Sequence, residues 1–409
     1  MQSVYLDNNA TTFLHPEVAE QMAAALRASY GNPASQHATG RRARRVVEDA
    51  REEIAELLGA APQDRLIFTS GGTEANNLAL RGIAASRSLS SHRPFAPASV
   101  SRTHPLATEP APPISWGKIV VSAIEHASVH DCCRAMAEAG WEVIVLPVNV
   151  HGQVTTDALR QRLADNIRLI CVMLGNNETG ILQPVAQLAA LAAENQIPLH
   201  TDAVQAVGKI PVDFRKLNVT SLSFCAHKFH GPRGIGGLLV RDRVSVEPLM
   251  QGGFQQGGLR PGTEPVELIV GMAAALRLWK QEAESRQARL MALRDRFEQT
   301  LCEAAPELVI HGRQVERLPH TSNISFPGVN RQALVMALDL AGIACSTGSA
   351  CASGSSEPSP VLLAMGLADA WVESALRFSW GVLNTTSEVD LAAGCILRLY
   401  RDLRQRKSS

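Results

Sequence analysis

The sequence predicts an α/β fold in which a mostly parallel sheet carries helices on both faces and leads into a smaller α+β lobe. Three observations predict it. Short β-branched runs alternate with amphipathic helical stretches through the middle of the chain. Glycine-rich turns follow strand ends at Ser70-Gly71-Gly72-Thr73 and again after Phe224. With 409 residues, the chain is long enough for a large core and two lobes.

Composition narrows the class. Lys plus Arg equals Asp plus Glu at 39 each, so no net field draws the chain to nucleic acid or an anionic membrane. No apolar run approaches the ~18 residues of a membrane span. The chain opens on the strand-like Val4-Tyr5-Leu6-Asp7 with no leader pattern, and a cytoplasmic location is the expectation. Of the eight cysteines, none forms a C-x-x-C pair, and the default is buried free thiols. A metal site on Cys345 and Cys351 is disfavoured by their spacing and the lack of further ligands nearby, so no metal is expected.

Taken in order, residues 16–29 and 35–59 read as helices, the second with a solvated face of arginines and glutamates. Arg65 to Thr69 reads as a strand and Ala75 to Ala85 as a helix. The turn between them forms either an anion cup or an ordinary cap built on Ser70 or Thr73. From Ser86 to Ser115 six prolines and seven serines interrupt any apolar period, which marks an exposed loop insertion. Strands then follow at Lys118–Ser122, Glu142–Leu146, Arg168–Leu174, Pro198–Thr201 and Val219–Phe224. Helices at Ala127–Gly140, Thr156–Ala164 and Val185–Asn195 separate them.

Past Gly262 one long charged helix is expected from Glu264 to about Glu303. Strands at 322–326 and 375–380 come next, with helices at 331–341 and 388–404. The expected division is a large unit over 16–262, with 86–115 inserted, and a small unit of 1–15 with 263–409.

Polar residues collect after successive strands: Glu125 and His126, Asn176 and Asn177, Asp202 and Gln205, His227 and Lys228. In open α/β sheets ligands bind beyond the carboxyl ends of strands, so these residues are read as one site. Lys228 sits where a strand meets a turn of four glycines and a proline, a setting suited to Schiff-base formation with a cofactor aldehyde.

If that cofactor is pyridoxal 5'-phosphate, its other needs are met in kind. Asp202 would hold the ring nitrogen protonated, and Gln205 would bond the ring hydroxyl. Gly72 and Thr73 would cup the phosphate with His227 adding a donor, and His126 would cover the ring face. Arg377 would take a substrate carboxylate. Cys351 lies in Ser346-Thr347-Gly348-Ser349-Ala350-Cys351-Ala352-Ser353-Gly354, a stretch of small residues expected to be mobile enough to carry a thiol to the site.

These motifs occur together and in order: Tyr5-Leu6-Asp7-Asn8-Asn9-Ala10-Thr11-Thr12, Gly31-Asn32-Pro33, the 70–77 cup, Glu125-His126, Asn176-Asn177-Glu178-Thr179-Gly180, His200-Thr201-Asp202-Ala203-Val204-Gln205, His227-Lys228 and Gly348-Ser349-Ala350-Cys351. As a set they resemble the cysteine desulfurases of the NifS/IscS-like branch, within the class V, fold-type I pyridoxal-phosphate enzymes. The resemblance implies a seven-stranded-type sheet and a homodimer. It also implies conversion of L-cysteine to alanine with sulfur passing to Cys351 as a persulfide, then to an acceptor protein in iron–sulfur assembly or thiolation. Under it His126 is ring stack and acid/base, Lys228 the proton shuttle, and Asn177 and Arg377 substrate anchors. Asn177 also joins Cys225 and His227 around the cofactor, and Thr263 reaches the neighbouring subunit's phosphate.

Three departures stand out. Cys225 replaces the usual Ser or Thr, which removes about 1 kcal/mol of hydrogen bonding from the cofactor's grip. Gln256 and Gly257 replace the usual Glu and Arg, and the sequence stops at Ser409 short of the longer tail of housekeeping members. Two alternatives stay open: a selenocysteine lyase or other β-eliminating enzyme of the class, and a non-catalytic sulfur carrier or scaffold.

Overall fold

The computed structural model describes residues 3–28, 30–86, 116–348 and 357–408. Cys351 and nearly all of the 86–115 stretch therefore lie outside the described residues.

Seven strands build the main sheet. They are β1 (Arg65–Thr69), β2 (Lys118–Ser122), β3 (Glu142–Leu146), β4 (Ile167–Cys171), β5 (Leu199–Asp202), β6 (Ser221–Cys225) and β7 (Gly236–Val240). Their spatial order is β1-β7-β6-β5-β4-β2-β3. The pairs among β2 to β6 are parallel, while β7 runs antiparallel to both β6 and β1. Alternation along each strand feeds two cores. Leu66, Phe68, Val120 and Ile170 face one, and Ile67, Ile119, Val121 and Leu169 face the other. Both faces are thus covered, as a mostly parallel sheet requires.

The first core is closed by helices Pro16–Ala28, Ala38–Leu57, Val185–Glu194 and Val266–Gln281. The second is closed by Ala127–Glu138 and the segment after β1. A separate cluster around Phe297, Phe378 and Trp380 packs helices Ala283–Ala304, Arg331–Leu340 and Thr386–Ser408 on a three-stranded antiparallel sheet. That sheet is Ala375–Ser379, Thr321–Ser325 and Val309–Ile310.

The N-terminal segment joins the two cores. Val4–Tyr5 pairs in parallel with Ile343–Ala344, and Asp7 bridges to Ser379. The chain then crosses to the Lys228 turn, where Thr12 N–H donates to the His227 carbonyl at 2.9 Å.

Three expectations are corrected. The long helix over 264–303 is two helices separated at Glu282, whose backbone (φ −118, ψ 17) leaves the helical region. The helix after β1 is α-helical only over Gly72–Asn77 and widens to π turns over Leu78–Ile83. Strand β7 was not foreseen, because a glycine run reads as a turn; Gly236 is nevertheless required, since a Cβ there would lie 2.6 Å from the Gly71 backbone. Among the described residues no helix is long and apolar enough to cross a membrane.

Candidate active site

The carboxyl ends of β2, β4, β5 and β6 carry Glu125, Asn176, Asp202 and the His227-Lys228 turn to one region of the sheet edge. Between β2 and β4 the chain reverses its direction of travel across the sheet, the position where α/β sheets open a crevice.

Asp202 is 4% exposed at the end of β5. Its Oδ1 accepts from Val204 N–H at 2.9 Å and its Oδ2 from Asn76 Nδ2 at 2.7 Å. The Asn76 amide therefore fixes the carboxylate. Its Oδ1 accepts from the Ser223 hydroxyl and faces His200 Nε2 at 3.2 Å, and its Nδ2 also donates to Ser128 Oγ at 2.9 Å. Burial pushes His200 down to about 3, so its imidazole is neutral and serves as a hydrogen-bonding post.

Ser128 links this network to His126. The His126 ring caps helix Ala127–Glu138, with Nδ1 accepting from Ser128 N–H at 3.1 Å. That bond leaves Nδ1 unprotonated and places the proton of the neutral ring on Nε2.

Lys228 ends a short 3₁₀ turn after β6. Its Nζ donates to the carbonyls of Asn9 at 2.5 Å and Ala10 at 2.9 Å. Gln205 Nε2 reaches the same Asn9 carbonyl at 3.0 Å, so lysine, glutamine and the N-terminal crossing converge on one oxygen. Gln205 Oε1 is buried and has no hydrogen-bond partner among the described residues.

Arg377 is buried on the three-stranded sheet. It pairs with Asp7 at 2.7 Å and donates through Nη1 to the carbonyls of Asn177 at 3.0 Å and Gly348 at 3.3 Å. Its Nε is likewise buried without a partner among the described residues.

The anion cup adjoins Lys228. A groove of about 500 Å³ is lined by Thr11, Gly71, Gly72, Thr73, His227 and Arg233 among others. The N-cap of helix Gly72–Asn77 is Gly71, so among the described residues neither Ser70 nor Thr73 is its N-cap residue. Gly72 is required by crowding, since a Cβ there would meet Val204 Cγ2 at 2.8 Å. Burial, reinforced by Lys228 and Arg233, holds His227 down to about 4, so it is a neutral donor or acceptor, 3.2 Å from Thr11 Oγ1. Cys225 is buried behind Gly72, and burial pushes its thiol up to about 11.

Sequence reasoning missed Asn9, Asn76, His200 and Arg233, which hold or line the site. Asn9, Asn76 and His200 fall within the quoted motifs without having been given a role, and Arg233 lies in the glycine-rich turn. Thr263 is exposed and, among the described residues, makes no hydrogen bond to this cluster.

The residues fit pyridoxal phosphate. A buried carboxylate, a lysine at a strand end and an uncapped glycine turn match the ring nitrogen, the aldehyde and the phosphate. Gln205 Oε1 and Arg377 Nε are buried polar atoms without a hydrogen-bond partner among the described residues, and ring and substrate would supply one.

Comparison with known proteins agrees. The aminotransferase class-V family matches residues 4–95 and 113–391, and the chain belongs to it. The unmatched residues 96–112 fall inside the proline- and serine-rich stretch. A cysteine desulfurase IscS from Methanosarcina thermophila is 38% identical over 404 residues, spanning 98% of this chain and 93% of that protein. Among solved structures, a NifS-like protein superposes with a TM-score of 0.85 at 32% identity, covering 98% of this chain and all (100%) of that one. SspA in complex with cysteine gives 0.77 at 31% identity, covering 94% and 100%.

Proposed function

We propose that the chain is a pyridoxal-phosphate-dependent cysteine desulfurase that converts L-cysteine to L-alanine and receives the sulfur on Cys351. The observation that carries this reading is the convergence of Lys228 and Gln205 on the Asn9 carbonyl, with Arg377 reaching the same N-terminal crossing through Asp7.

When bound, the cofactor supplies an electron sink for the substrate carbon next to the amine. The chain's own groups do the rest. Asp202, held by Asn76, keeps a positive charge on the ring nitrogen favourable. Gln205 turns its free amide valence to the ring hydroxyl. Gly72, Thr73, His227 and Arg233 hold the phosphate, and Arg377 Nε with Asn177 orients the substrate carboxylate. Lys228 moves the α-proton, and His126, held as the Nε2–H tautomer, covers the ring and can exchange a proton from that nitrogen.

Cys351 as thiolate attacks the substrate sulfur. An S–S bond forms as the carbon–sulfur bond breaks, and a proton takes the sulfur's place on the β-carbon. One cysteine and one enzyme thiol thus give one alanine and one persulfide, with no external oxidant.

The proposal extends to a homodimer in which the exposed Thr263 serves the neighbouring site, and to a thiol-bearing acceptor protein. Exposed Tyr30 and Phe254, each 78% accessible, suit burial against a second copy. Free thiols suit a reducing compartment, and the cytoplasm is the proposed location. The lobe boundary is placed at Glu282 rather than 263, because Val266–Gln281 packs within the main core.

The test is incubation with L-cysteine and reductant, quantifying alanine and trapping persulfide by alkylation. Lys228→Ala is expected to lose the visible cofactor band. Cys351→Ser is expected to keep that band and release no sulfide; undiminished desulfuration by it would refute the reading.

A further inference from the structure

We propose that Glu178 is a positioning residue that fastens the C-terminal root of the Cys351-bearing segment to the wall of the active site and packs against its N-terminal root. The inference rests on the reading of Cys351 as sulfur acceptor.

Glu178 is 4% exposed and follows directly on Asn177. Its peptide is fixed on both sides: N–H donates to Asn176 Oδ1 at 2.9 Å, and the carbonyl accepts from Asn323 Nδ2 at 3.3 Å. Its side chain then bonds one root and lies against the other. Ser359 Oγ, on the C-terminal root, donates to Oε2 at 2.6 Å. Gly348, on the N-terminal root, lies so close that a Cβ would sit 2.8 Å from the same Oε2, and its φ of +98 is one that glycine alone adopts readily.

The neighbours reinforce both roots. Gly348 donates to Ser346 Oγ at 3.2 Å, and Ser346 exchanges backbone hydrogen bonds with Arg377. Arg377 Nη1 also holds the Gly348 carbonyl, and Arg331 holds the Glu357 carbonyl. The chain thus leaves and returns at a single carboxylate oxygen beside the residue whose carbonyl Arg377 grips. A fixed position for the ends of the thiol-bearing segment is a condition for a productive approach to substrate sulfur.

The experiment uses holoenzyme with L-cysteine in single-turnover and steady-state modes, reading trapped persulfide, cofactor content and KM. Glu178→Ala is expected to slow persulfide formation ~10–100-fold, the scale of a misplacement of about 1 Å. Cofactor content should hold and KM should stay within ~3-fold. Glu178→Gln keeps an acceptor for Ser359 and should remain within ~3-fold of wild type, by the same geometric argument. Ser359→Ala should slow the same step, and the double variant should be no slower than the slower single variant. Should Glu178→Ala fail to fold, Ser359→Ala and Glu178→Gln still decide the matter.

Wild-type persulfide formation in Glu178→Ala or Ser359→Ala would overturn the proposal. So would a glutamine variant as slow as the alanine one, or a loss of cofactor that accounts for the loss of rate. Cys351→Ser run alongside separates the two levels: desulfuration persisting there sinks the underlying function, whereas full activity of Glu178→Ala beside an inactive Cys351→Ser sinks only the fastening.

Discussion

The side-chain amide of Gln256 satisfies both backbone groups of Phe68: Oε1 accepts from its N–H at 2.7 Å, and Nε2 donates to its carbonyl at 2.9 Å. Phe68 lies on β1, the edge strand, so one side chain stands in for a missing neighbour. Arg51 completes the arrangement. Its guanidinium lies 4.5 Å over the Phe68 ring and bonds Leu66 O, Gln256 Oε1 and Glu264. The Gln256 backbone is left-handed (φ 50), so the residue is held where it is for its side chain. Gln256→Ala should lower unfolding free energy by about 2–3 kcal/mol, the net value of the three part-buried hydrogen bonds its side chain makes. Urea denaturation of the apo-protein measures this, and an unchanged midpoint would show that water replaces the amide without loss.

The departure at Cys225 bears on cofactor grip. The buried thiol stays protonated at neutral pH and donates weakly. Cys225→Ser should tighten retention by about 1 kcal/mol, roughly 5-fold in Kd. Equilibrium reconstitution of apo-protein followed by absorbance gives the number, and equal affinities would make the substitution silent.

Asn76 is where a small change should have a large effect. Removing its amide leaves Asp202 Oδ2 and Ser128 Oγ without that donor, and the Ser223 hydroxyl and His200 Nε2 without that acceptor. Asn76→Ala should destabilise by about 2–3 kcal/mol, because buried polar groups lose their partners. It should also weaken the cofactor by freeing the carboxylate. Paired denaturation and reconstitution measurements test this; stability and affinity both at wild-type levels would contradict the network.

Acid should destabilise the fold between about pH 6.5 and 4. Burial holds His200 and His230 down to about 3, and His227 and His311 down to about 4. Each is neutral when folded and takes a proton near 6.5 when unfolded, so its stabilisation is full above 6.5 and lost as pH falls through the folded value. The limiting slope is about 1.4 kcal/mol per pH unit for each histidine. Glu125 works in the opposite sense. Burial raises its carboxyl to about 8, so its stabilisation is full below about 4.5 and is lost as pH rises toward 8. Four histidines outweigh it below 6.5. Urea midpoints should therefore fall from pH 7 to pH 5, and His311→Asn should flatten the slope by up to one proton. A midpoint that does not move would refute the burial of these rings.

Much of this was legible in the sequence where residue type and place coincide. Asp202 and Lys228 each follow an apolar strand, and a carboxylate or lysine at such a position has few uses. The rest was not legible because the signal is not local. Asn76 looks like an ordinary helix residue, yet its partner Asp202 is 126 positions away. Strand β7 begins with two glycines, and only its antiparallel fit between β1 and β6 makes it a strand. The break at Glu282 has neither proline nor glycine to announce it, and the charged helical period runs on either side. Cys351 was singled out on sequence alone and lies outside the described residues.

The N-terminal crossing has a consequence for biosynthesis. Asp7 meets Arg377 across 370 positions, and the Asn9 carbonyl that receives Lys228 belongs to the same short run. The run around Asp7 must therefore wait for the Ala375–Ser379 strand before the Asp7–Arg377 pair can form. A nascent chain stalled before the Ala375–Ser379 strand could assemble much of its main sheet and still lack the Asp7–Arg377 pair that ties the N-terminal crossing down.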